Sequence, residues 1–172
     1  MHPDALPSSW LLFNADLIPR AGRALDVACA HGRHSLFLAG RGLRVRAVDR
    51  DPQAVEALRA EATRRALPVE AEVLDLEAVS VDLGRESYDF ILVVRYLHRP
   101  LLPKLVQALA PGGVIVYETF TREQALRGKP TNPDFLLQHG ELRQNLASLT
   151  LMRELDGTLD GNPVSAIAAR KP

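Results

Sequence analysis

The feature that most limits how this chain can fold is the alternation of short apolar runs with amphipathic segments between residues 22 and 120. The run YDFILVV at residues 88–94 is continuous and apolar, as in central strands of parallel sheets that are buried on both faces. Parallel neighbours need crossover connections, and helix-like segments separate the apolar runs. The pattern therefore predicts an α/β fold, with a doubly wound, mainly parallel sheet in a three-layer α/β/α arrangement.

The predicted elements have clear local signals. The clearest helix spans residues 51–66, with Asp51 as N-cap and Pro52 in the first helical position. Ser8 or Ser9 is placed to cap a first helix that carries Trp10, Phe13 and Leu17 on one face. The predicted strands are residues 22–30, 43–50, 69–76, 88–94 and 114–120, and the other predicted helices are residues 32–42 and 99–113.

The last third of the sequence breaks this alternation. Residues 121–147 indicate a loop that leads into short helices. Residues 149–155 and 163–171 then form two strand-like runs joined by DGTLDGN, a connection too short to hold a crossover helix. We therefore expect a hairpin that adds an antiparallel strand to the sheet.

Length and composition are those of an ordinary globular domain. The 172 residues fit a single domain, in which we expect an N-terminal helical cover (1–20), a cofactor-binding half (21–120) and an acceptor-side segment with the hairpin (121–172). Positive and negative side chains balance at 21 each, so charge gives no support to nucleic-acid or membrane binding. The single Cys29 excludes an intramolecular disulfide. The N-terminus lacks a signal-peptide pattern and no apolar run has membrane-spanning length, so we expect a cytoplasmic protein.

The turn after the first strand, within LDVACAHGRH at residues 25–34, restricts the ligand. No phosphate-loop motif is present, and Ala28 and Ala30 replace two of the three glycines of a dinucleotide-binding turn. An acid at Asp26 would also repel a diphosphate. The turn therefore favours a ligand that carries positive charge and no phosphate, such as S-adenosylmethionine with its ammonium and sulfonium groups.

These residues resemble the motifs of class I S-adenosylmethionine-dependent methyltransferases. ALDVACAHGRH is similar to the first motif of that family, although Ala30 departs from its glycine. Asp49 matches the acid that holds the ribose hydroxyls, and Asp75 matches the acid that binds the adenine amino group. The terminal hairpin matches the reversed seventh strand of the family, which lies between strands five and six. The resemblance implies a seven-stranded Rossmann-like sheet.

Within that class, the segments GRH, VVRYLHRPLL, YETFT and NPDFLLQHGEL resemble small bacterial tellurite-resistance-like methyltransferases. The resemblance implies S-adenosyl-L-methionine as cofactor and S-adenosyl-L-homocysteine as product. The implied cofactor-binding residues are Asp26, Ala28, Ala30, Gly32, Asp49, Arg50, Asp75, Leu76 and Val94. Two of these have alternatives that stay open: Asp26 also suits a helix cap, and Arg50 a solvated side chain.

The acceptor should approach over the ends of the fourth and fifth strands. Arg95, Tyr96 and His98 follow the fourth strand, and Tyr117, Glu118 and Thr119 lie in the fifth. We take Arg95, His98 and Tyr117 as the candidate catalytic residues: His98 as a base near neutral pH, and Arg95 for an anionic acceptor or the cofactor carboxylate. The alternative for His98 is a histidine at a helix start that faces solvent, and the alternative for Arg95 is a structural ion pair. The Asp/Asn-Pro-Pro-Tyr signature of amino-group methylation is missing, which disfavours a nitrogen acceptor.

The sequence thus predicts a methyltransferase for a small, anionic or soft nucleophilic acceptor. A binding module for S-adenosylmethionine or S-adenosylhomocysteine with little catalysis, acting as a partner or sensor, is the alternative, and a nicotinamide dehydrogenase is third. Trp10 and Phe13 suit the core, or else a helix that covers the cofactor. His31 and His34 lack a third ligand, so no metal site is expected. Nucleic acid and membrane are not expected partners, and the oligomeric state is left open.

Overall fold

The computed structural model describes residues 6–172, so the first five residues of the predicted N-terminal cover lie outside the described part. The described chain forms one seven-stranded sheet with the order β3-β2-β1-β4-β5-β7-β6. The strands are β1 (Arg23–Val27), β2 (Arg44–Asp49), β3 (Val69–Val73), β4 (Tyr88–Val94), β5 (Leu109–Phe120), β6 (Thr150–Leu159) and β7 (Asn162–Arg170). Strand β7 pairs antiparallel with both β5 and β6, while β1 to β5 are parallel. The predicted fold class is confirmed.

Helices cover both faces of this sheet. They are α1 (Ser9–Phe13), α2 (Arg33–Gly40), α3 (Pro52–Arg64), α4 (Leu102–Ala108) and α5 (Glu141–Asn145). Buried side chains from α1, α2 and α3, such as Leu11, Leu38 and Leu58, belong to one apolar cluster. Those of α4 and α5, such as Leu105 and Leu142, belong to a second cluster on the other face. Because successive strand residues point to opposite faces, Leu92 joins the first cluster and Ile91 the second.

Two local predictions are confirmed by hydrogen bonds. Asp51 caps α3, since its carboxylate accepts from the backbone N–H groups of Gln53 and Ala54, with Pro52 in the first helical position. Ser8 caps α1, since its Oγ accepts the N–H of Leu11 at 3.0 Å. Each cap satisfies amide groups that a helix start leaves without an intrahelical partner.

The predicted hairpin is present and is longer than expected. Residues of DGTLDGN continue the ladder as far as the pair Leu159–Asn162, which leaves only Asp160 and Gly161 in the turn. Both have positive φ, 49° and 77°, as a type I′ turn requires. The tight turn allows the long ladder, because its twist matches that of the strands.

Several predicted boundaries are wrong. The first strand ends at Val27, three residues earlier than predicted, because Ala28 and Ala30 adopt left-handed backbone. The first helix ends at Phe13, which is 65% exposed, and Leu17 lies in a separate 3-10 turn, so the predicted common face does not form. The fourth helix ends at Ala108 because Leu109 is extended and pairs with Tyr88. The third strand ends at Val73, before the turn at Asp75.

Candidate functional site

A cleft of about 310 Å³ opens at the carboxyl ends of the parallel strands, a volume in the range of small-ligand sites. In a doubly wound sheet this is the edge where ligands bind, beside the point where the strand order reverses. Here that point lies between β1 and β4. The lining residues are Ala28, Asp49, Arg50, Leu74, Asp75, Leu76, Glu77, Arg95, Tyr96, Leu97, Thr119, Phe120, Pro130 and Phe135.

The turn after β1 is built from left-handed backbone. Ala28 has φ 55° and Ala30 has φ 47°, in a region that favours glycine. The strained turn is bonded to strand β2, because the N–H of Cys29 donates to the carbonyl of Val48 at 3.0 Å. Ala28 lines the cleft, whereas Ala30 is exposed to solvent and lies outside the lining. Ala30 therefore has the left-handed conformation for which glycine, the residue of the family motif, is the usual choice.

Gly32 supports the turn and does not line the cleft. It precedes α2 with φ 75°, and a Cβ built there would lie 2.2 Å from Cδ1 of Leu58. A side chain at this position would be strained by the backbone and would displace the buried side chain of Leu58. Gly32 is therefore required for the close approach of the turn to Leu58 of α3.

Asp49 ends β2 with both carboxylate oxygens directed by backbone amides. Oδ2 accepts the N–H of Ala30 at 2.7 Å, and Oδ1 accepts the N–H of Asp51 at 2.9 Å. Each oxygen can accept a further bond, since an ionised carboxylate has about four acceptor positions. Asp49 lines the cleft and can therefore accept two ligand hydroxyls.

Asp75 and Leu76 follow β3 at the same edge. Asp75 is exposed and its Oδ1 accepts the N–H of Glu77 at 3.0 Å, an Asx turn that ends the strand. Leu76 is buried at 4% exposure and lines the cleft, as does the exposed Arg50 from the end of β2. This end of the cleft is therefore lined by the carboxylate-bearing Asp75, the apolar Leu76 and the basic Arg50. Such a set suits a base that is aromatic and carries polar groups at its edge.

Asp26 lies beneath the turn and outside the cleft lining. It is 1% exposed, and its Oδ2 accepts the hydroxyl of Ser35 in α2 at 2.5 Å. Burial raises the pKa of Asp26 to about 7, against the opposing effect of its bonds with Ser35. The N-cap of α2 is Gly32, so Asp26 bonds to the helix through Ser35 and is not its cap residue. The cofactor role of Asp26 stays a prediction.

Arg95 is the candidate catalytic residue that lines the cleft. It follows β4 with φ 56°, its N–H donates to the carbonyl of Glu118 at 2.8 Å, and its guanidinium lies 5.5 Å from the ring of Phe120. Left-handed backbone at a non-glycine residue costs energy and is concentrated at functional sites. Val94, the last residue of β4, is half-buried and does not line the cleft.

The other two catalytic candidates lie elsewhere. Tyr117 is 1% exposed, its hydroxyl donates to the carbonyl of Tyr96 at 2.9 Å, and burial raises its pKa. His98 lines two shallower depressions beside the cleft, next to Pro100. In this arrangement neither side chain is among those that surround the cleft, so the catalytic roles of Tyr117 and His98 stay untested predictions.

Tyr96, which the sequence placed on the acceptor side without a specific role, is a site residue. It lines the cleft, and its hydroxyl is buried with no hydrogen-bond partner in residues 6–172. Burial, together with the nearby carboxylates of Glu77 and Asp75, raises the pKa of Tyr96 to about 12. A buried hydroxyl without a partner costs free energy unless a ligand supplies one. The cleft therefore presents an unused hydrogen-bonding group as well as the free acceptor positions of Asp49.

The N-terminal helix is part of the core. Trp10 is 4% exposed, donates from Nε1 to the carbonyl of Ile167 at 3.3 Å, and stacks on Phe13. Neither aromatic residue lines the cleft, so the described part of residues 1–20 packs against the hairpin.

Two residues near the turn are inert in this environment. Burial raises the pKa of Cys29, which does not favour a thiolate. Burial also lowers the pKa of His34 to about 3, and its Nε2 accepts the N–H of Ser8 at 3.1 Å. Among residues 6–172, no group of three or more histidine, cysteine, aspartate or glutamate side chains is placed to hold a metal ion. None of the helices described is long and apolar enough to cross a membrane.

The fold is shared with solved methyltransferase structures. TehB from Haemophilus influenzae superposes with a TM-score of 0.79 at 20% identity, over 98% of this chain and 63% of that one. A TehB-like S-adenosylmethionine-dependent methyltransferase from Corynebacterium glutamicum gives 0.72 at 17% identity, over 98% and 90% of the two chains. At this identity the likeness establishes the fold alone.

The sequence decides the family. The family described as tellurite resistance protein TehB matches residues 11–148, which include the whole cleft. This chain belongs to the TehB family of S-adenosylmethionine-dependent methyltransferases. The predicted subgroup is thereby confirmed, and the cofactor of the family is the one that the opening turn indicated.

Curated relatives of this TehB-family chain match it over part of their length. An uncharacterized methyltransferase of Mycobacterium bovis is 33% identical over 128 residues, which are 72% of this chain and 47% of the relative. A protein of Eikenella corrodens named hemagglutinin 1 is 31% identical over 140 residues, which are 76% and 45% of the two. The chain spans about half the length of these relatives.

The cleft of this TehB-family chain fits the cofactor of its family. The buried hydroxyl of Tyr96 lacks a partner, and both oxygens of Asp49 can accept further bonds. Of the residues predicted for the cofactor, the cleft brings together Ala28, Asp49, Arg50, Asp75 and Leu76; it leaves out Asp26, Ala30, Gly32 and Val94. The lining residues that the sequence reasoning did not name for the site are Leu74, Glu77, Leu97, Phe120, Pro130 and Phe135. Two of them carried a signal, since Glu77 follows Asp75 by two residues and Phe135 lies in the family-like segment NPDFLLQHGEL.

Proposed function

We propose that this protein is an S-adenosylmethionine-dependent methyltransferase that acts on a small, anionic or soft nucleophilic acceptor. The observation that carries the proposal is a single cleft that joins Asp49 and Asp75, at the ends of β2 and β3, with Arg95 at the end of β4. Acids on one side suit the hydroxyl and amino groups of an adenosine. A cation on the other side suits an anion. Membership of the TehB family supports the reaction type.

The cofactor side is assigned residue by residue. Asp49 would accept the two ribose hydroxyls, and Asp75 the adenine amino group, beside Leu76 and Arg50. Ala28 brings the turn after β1 against the cleft, with the turn bonded through Ala30 to Asp49. When bound, S-adenosylmethionine supplies a methyl group on a positively charged sulfur, so that the carbon–sulfur bond breaks as the acceptor's lone pair forms its bond to carbon.

The protein's own task is then alignment of the acceptor and exclusion of water. Arg95 is the candidate to hold an anionic acceptor, because the residue lines the cleft and no described carboxylate forms an ion pair with it. Thr119 and Phe120 form the adjacent lining at the end of β5. An acceptor anion needs no base, which agrees with the position of His98 outside the cleft.

Binding is tested first. The thermal unfolding temperature should rise with S-adenosylmethionine and with S-adenosylhomocysteine, because a ligand that binds only the folded state stabilises it. NAD is the control, since its diphosphate would lie at the turn after β1, where Ala28 and Ala30 replace two of the glycines that a dinucleotide needs. Stabilisation by NAD alone would contradict the proposal and favour a dehydrogenase.

Turnover is tested with acceptors of defined chemistry. Release of S-adenosylhomocysteine should be measured with tellurite and selenite, in view of the family's description, and with thiols, phenols and carboxylates. Phenols are included because a ubiquinone biosynthesis O-methyltransferase of Burkholderia multivorans is 30% identical over 66% of this chain. Turnover with an oxyanion or a thiol supports the proposed acceptor class. Cofactor binding with no turnover on any acceptor would favour the alternative of a binding module.

A further inference from the structure

The connection between β5 and β6 supplies part of the cleft although it is outside the sheet. Pro130 and Phe135 from this connection line the cleft, and the ring of Phe135 is half-exposed. The segment is attached to the sheet at Leu137, whose N–H donates to the carbonyl of Phe120 and whose carbonyl accepts the N–H of Arg122. The sheet thus fixes the chain two residues beyond Phe135.

Arg99 fixes the backbone on both sides of Phe135. Its Nη1 donates to the carbonyl of Asp134 at 2.8 Å, and its Nη2 donates to the carbonyl of Leu136 at 3.0 Å. The carbonyl groups of the two residues next to Phe135 are therefore bonded to one guanidinium. Since a guanidinium is planar and rigid, the two carbonyls are held in a fixed relation to each other.

Glu141 holds that guanidinium in place. Nε of Arg99 donates to Oε1 of Glu141 at 2.5 Å, and Nη2 donates to Oε2 at 3.1 Å. Oε2 also accepts the N–H of Gln138 at 2.9 Å, one residue beyond Leu137. The carboxylate of Glu141 thus accepts hydrogen bonds from the guanidinium of Arg99 and from the backbone of Gln138. With Arg99 it forms the two-bond pair that arginine and carboxylate favour.

Arg99 itself belongs to the connection between β4 and α4. It begins a 3-10 turn (Arg99–Leu101) that follows the lining residues Arg95, Tyr96 and Leu97 at the end of β4. Phe135 shares the cleft with Glu77 and Leu97, and it shares the neighbouring depression with the same two residues. Phe135 is thus on the side of Asp75 and Glu77, where the proposed function places the adenosine.

We propose that Arg99 is a positioning residue that holds Phe135 as an apolar cover over the adenosine end of the bound cofactor. The inference rests on the proposed function, because it needs the cofactor in the cleft. Without Arg99, two carbonyls lose their donors and Glu141 loses its cation, so residues 134–136 are free to move. Phe135 then no longer shields the ligand from water. A lysine keeps the charge but has no planar fork to span two carbonyls and a carboxylate.

Calorimetry with S-adenosylhomocysteine tests the coupling between the two residues. Arg99→Gln, Arg99→Lys and Phe135→Ala should each weaken binding about five- to tenfold, of the size of one lost contact. The double variant Arg99→Gln/Phe135→Ala should bind no more weakly than the weaker single variant, since both remove the same cover. Arg143→Gln is the control: Arg143 pairs with Glu154 at 3.1 Å from the neighbouring α5 and should leave binding unchanged.

Fluorescence tests the position of residue 135 without any ligand. Trp10 is the single tryptophan and is 4% exposed, so acrylamide should quench its fluorescence little. A Phe135→Trp variant therefore adds a second tryptophan that acrylamide can reach. Quenching of this probe by acrylamide should increase when Arg99→Gln is added and stay unchanged with Arg143→Gln. Arg99→Lys should increase quenching as Arg99→Gln does. If one of the two variants does not fold, the other still carries the test.

The outcomes separate the two proposals. If the unmodified protein does not bind S-adenosylhomocysteine, the proposed function fails and the cover has no ligand. If it binds, and both Arg99 variants bind equally well, Arg99 has no positioning role. Fully additive losses in the double variant, or quenching that does not respond to Arg99, would likewise overturn the inference.

Discussion

The backbone N–H of Ala30 donates to Oδ2 of Asp49 over 2.7 Å, which bonds the turn after β1 to the acid at the end of β2. The bond orients a carboxylate that a ligand would need and holds a left-handed alanine in place. The turn and the acid therefore form one unit, although 19 residues separate them in the sequence. The variants proposed below separate the contributions of this unit.

Asp49→Ala should weaken binding of S-adenosylhomocysteine by about 1.5–3 kcal/mol, or roughly ten- to a hundredfold, since it removes a charged acceptor of ligand hydroxyls. Isothermal titration calorimetry measures this. Asp51→Ala is the matched control: it removes the cap of α3 and should lower the free energy of unfolding by about 1 kcal/mol with no effect on binding. An unchanged dissociation constant in folded Asp49→Ala would remove Asp49 from the site.

Ala30→Gly should raise the free energy of unfolding by about 0.5–1 kcal/mol, because relief of left-handed strain at φ 47° exceeds the added chain entropy of glycine. Binding of S-adenosylhomocysteine should stay within a few fold, because Ala30 is exposed and does not line the cleft. Urea unfolding and calorimetry measure the two quantities. Ala60→Gly, in the exposed face of α3, should instead lower stability by a similar amount. Loss of stability in Ala30→Gly would show that the turn accommodates its Cβ.

Asp26 should make stability fall as pH rises toward neutrality. Burial raises its pKa to about 7 from an ordinary value of 3.8, so the folded state favours the protonated form. The stabilising contribution is complete below about pH 4 and is lost as pH rises through 7. Asp26→Asn does not titrate and still offers an oxygen to Ser35, so the variant should gain stability relative to the unmodified protein between pH 5 and 8, by urea unfolding.

The comparison with Asp26→Asn is needed because His34 acts in the opposite direction. Burial lowers the pKa of His34 to about 3, so its contribution grows as pH rises from about 3 to about 6.5. Both proteins contain His34, and its effect cancels in the difference between them. A difference that does not change with pH would show that Asp26 titrates normally in the folded protein.

Arg95→Gln should lower turnover at least about tenfold with any acceptor found, whereas His98→Gln should lower it less, since only Arg95 lines the cleft. Steady-state rates at saturating cofactor measure this, with calorimetry to check that cofactor affinity stays within a few fold. The reverse order of effects would restore His98 as the base. A collapse of cofactor binding in Arg95→Gln would identify Arg95 as the partner of the cofactor carboxylate.

The sequence by itself determined the architecture of the sheet. The continuous apolar run at residues 88–94 and the cap at Asp51 depend on neighbours within a few residues, and the short connection before β7 requires an antiparallel strand. Element ends were less predictable. Leu109 leaves the fourth helix because it pairs with Tyr88, a contact that local propensity does not contain.

The residues at the ends of β2 and β3 were also determined by the sequence, because the carboxyl ends of parallel strands share one edge. Only the tertiary structure decided which side chains around them face the cleft. Asp26 and Tyr117 belong to strands whose side chains alternate between faces, and packing against α2 and the β4–α4 connection buried both. Arg99 and Phe135 lie 36 positions apart in segments without periodic pattern, and they come together because the guanidinium of Arg99 bonds to the backbone on either side of Phe135.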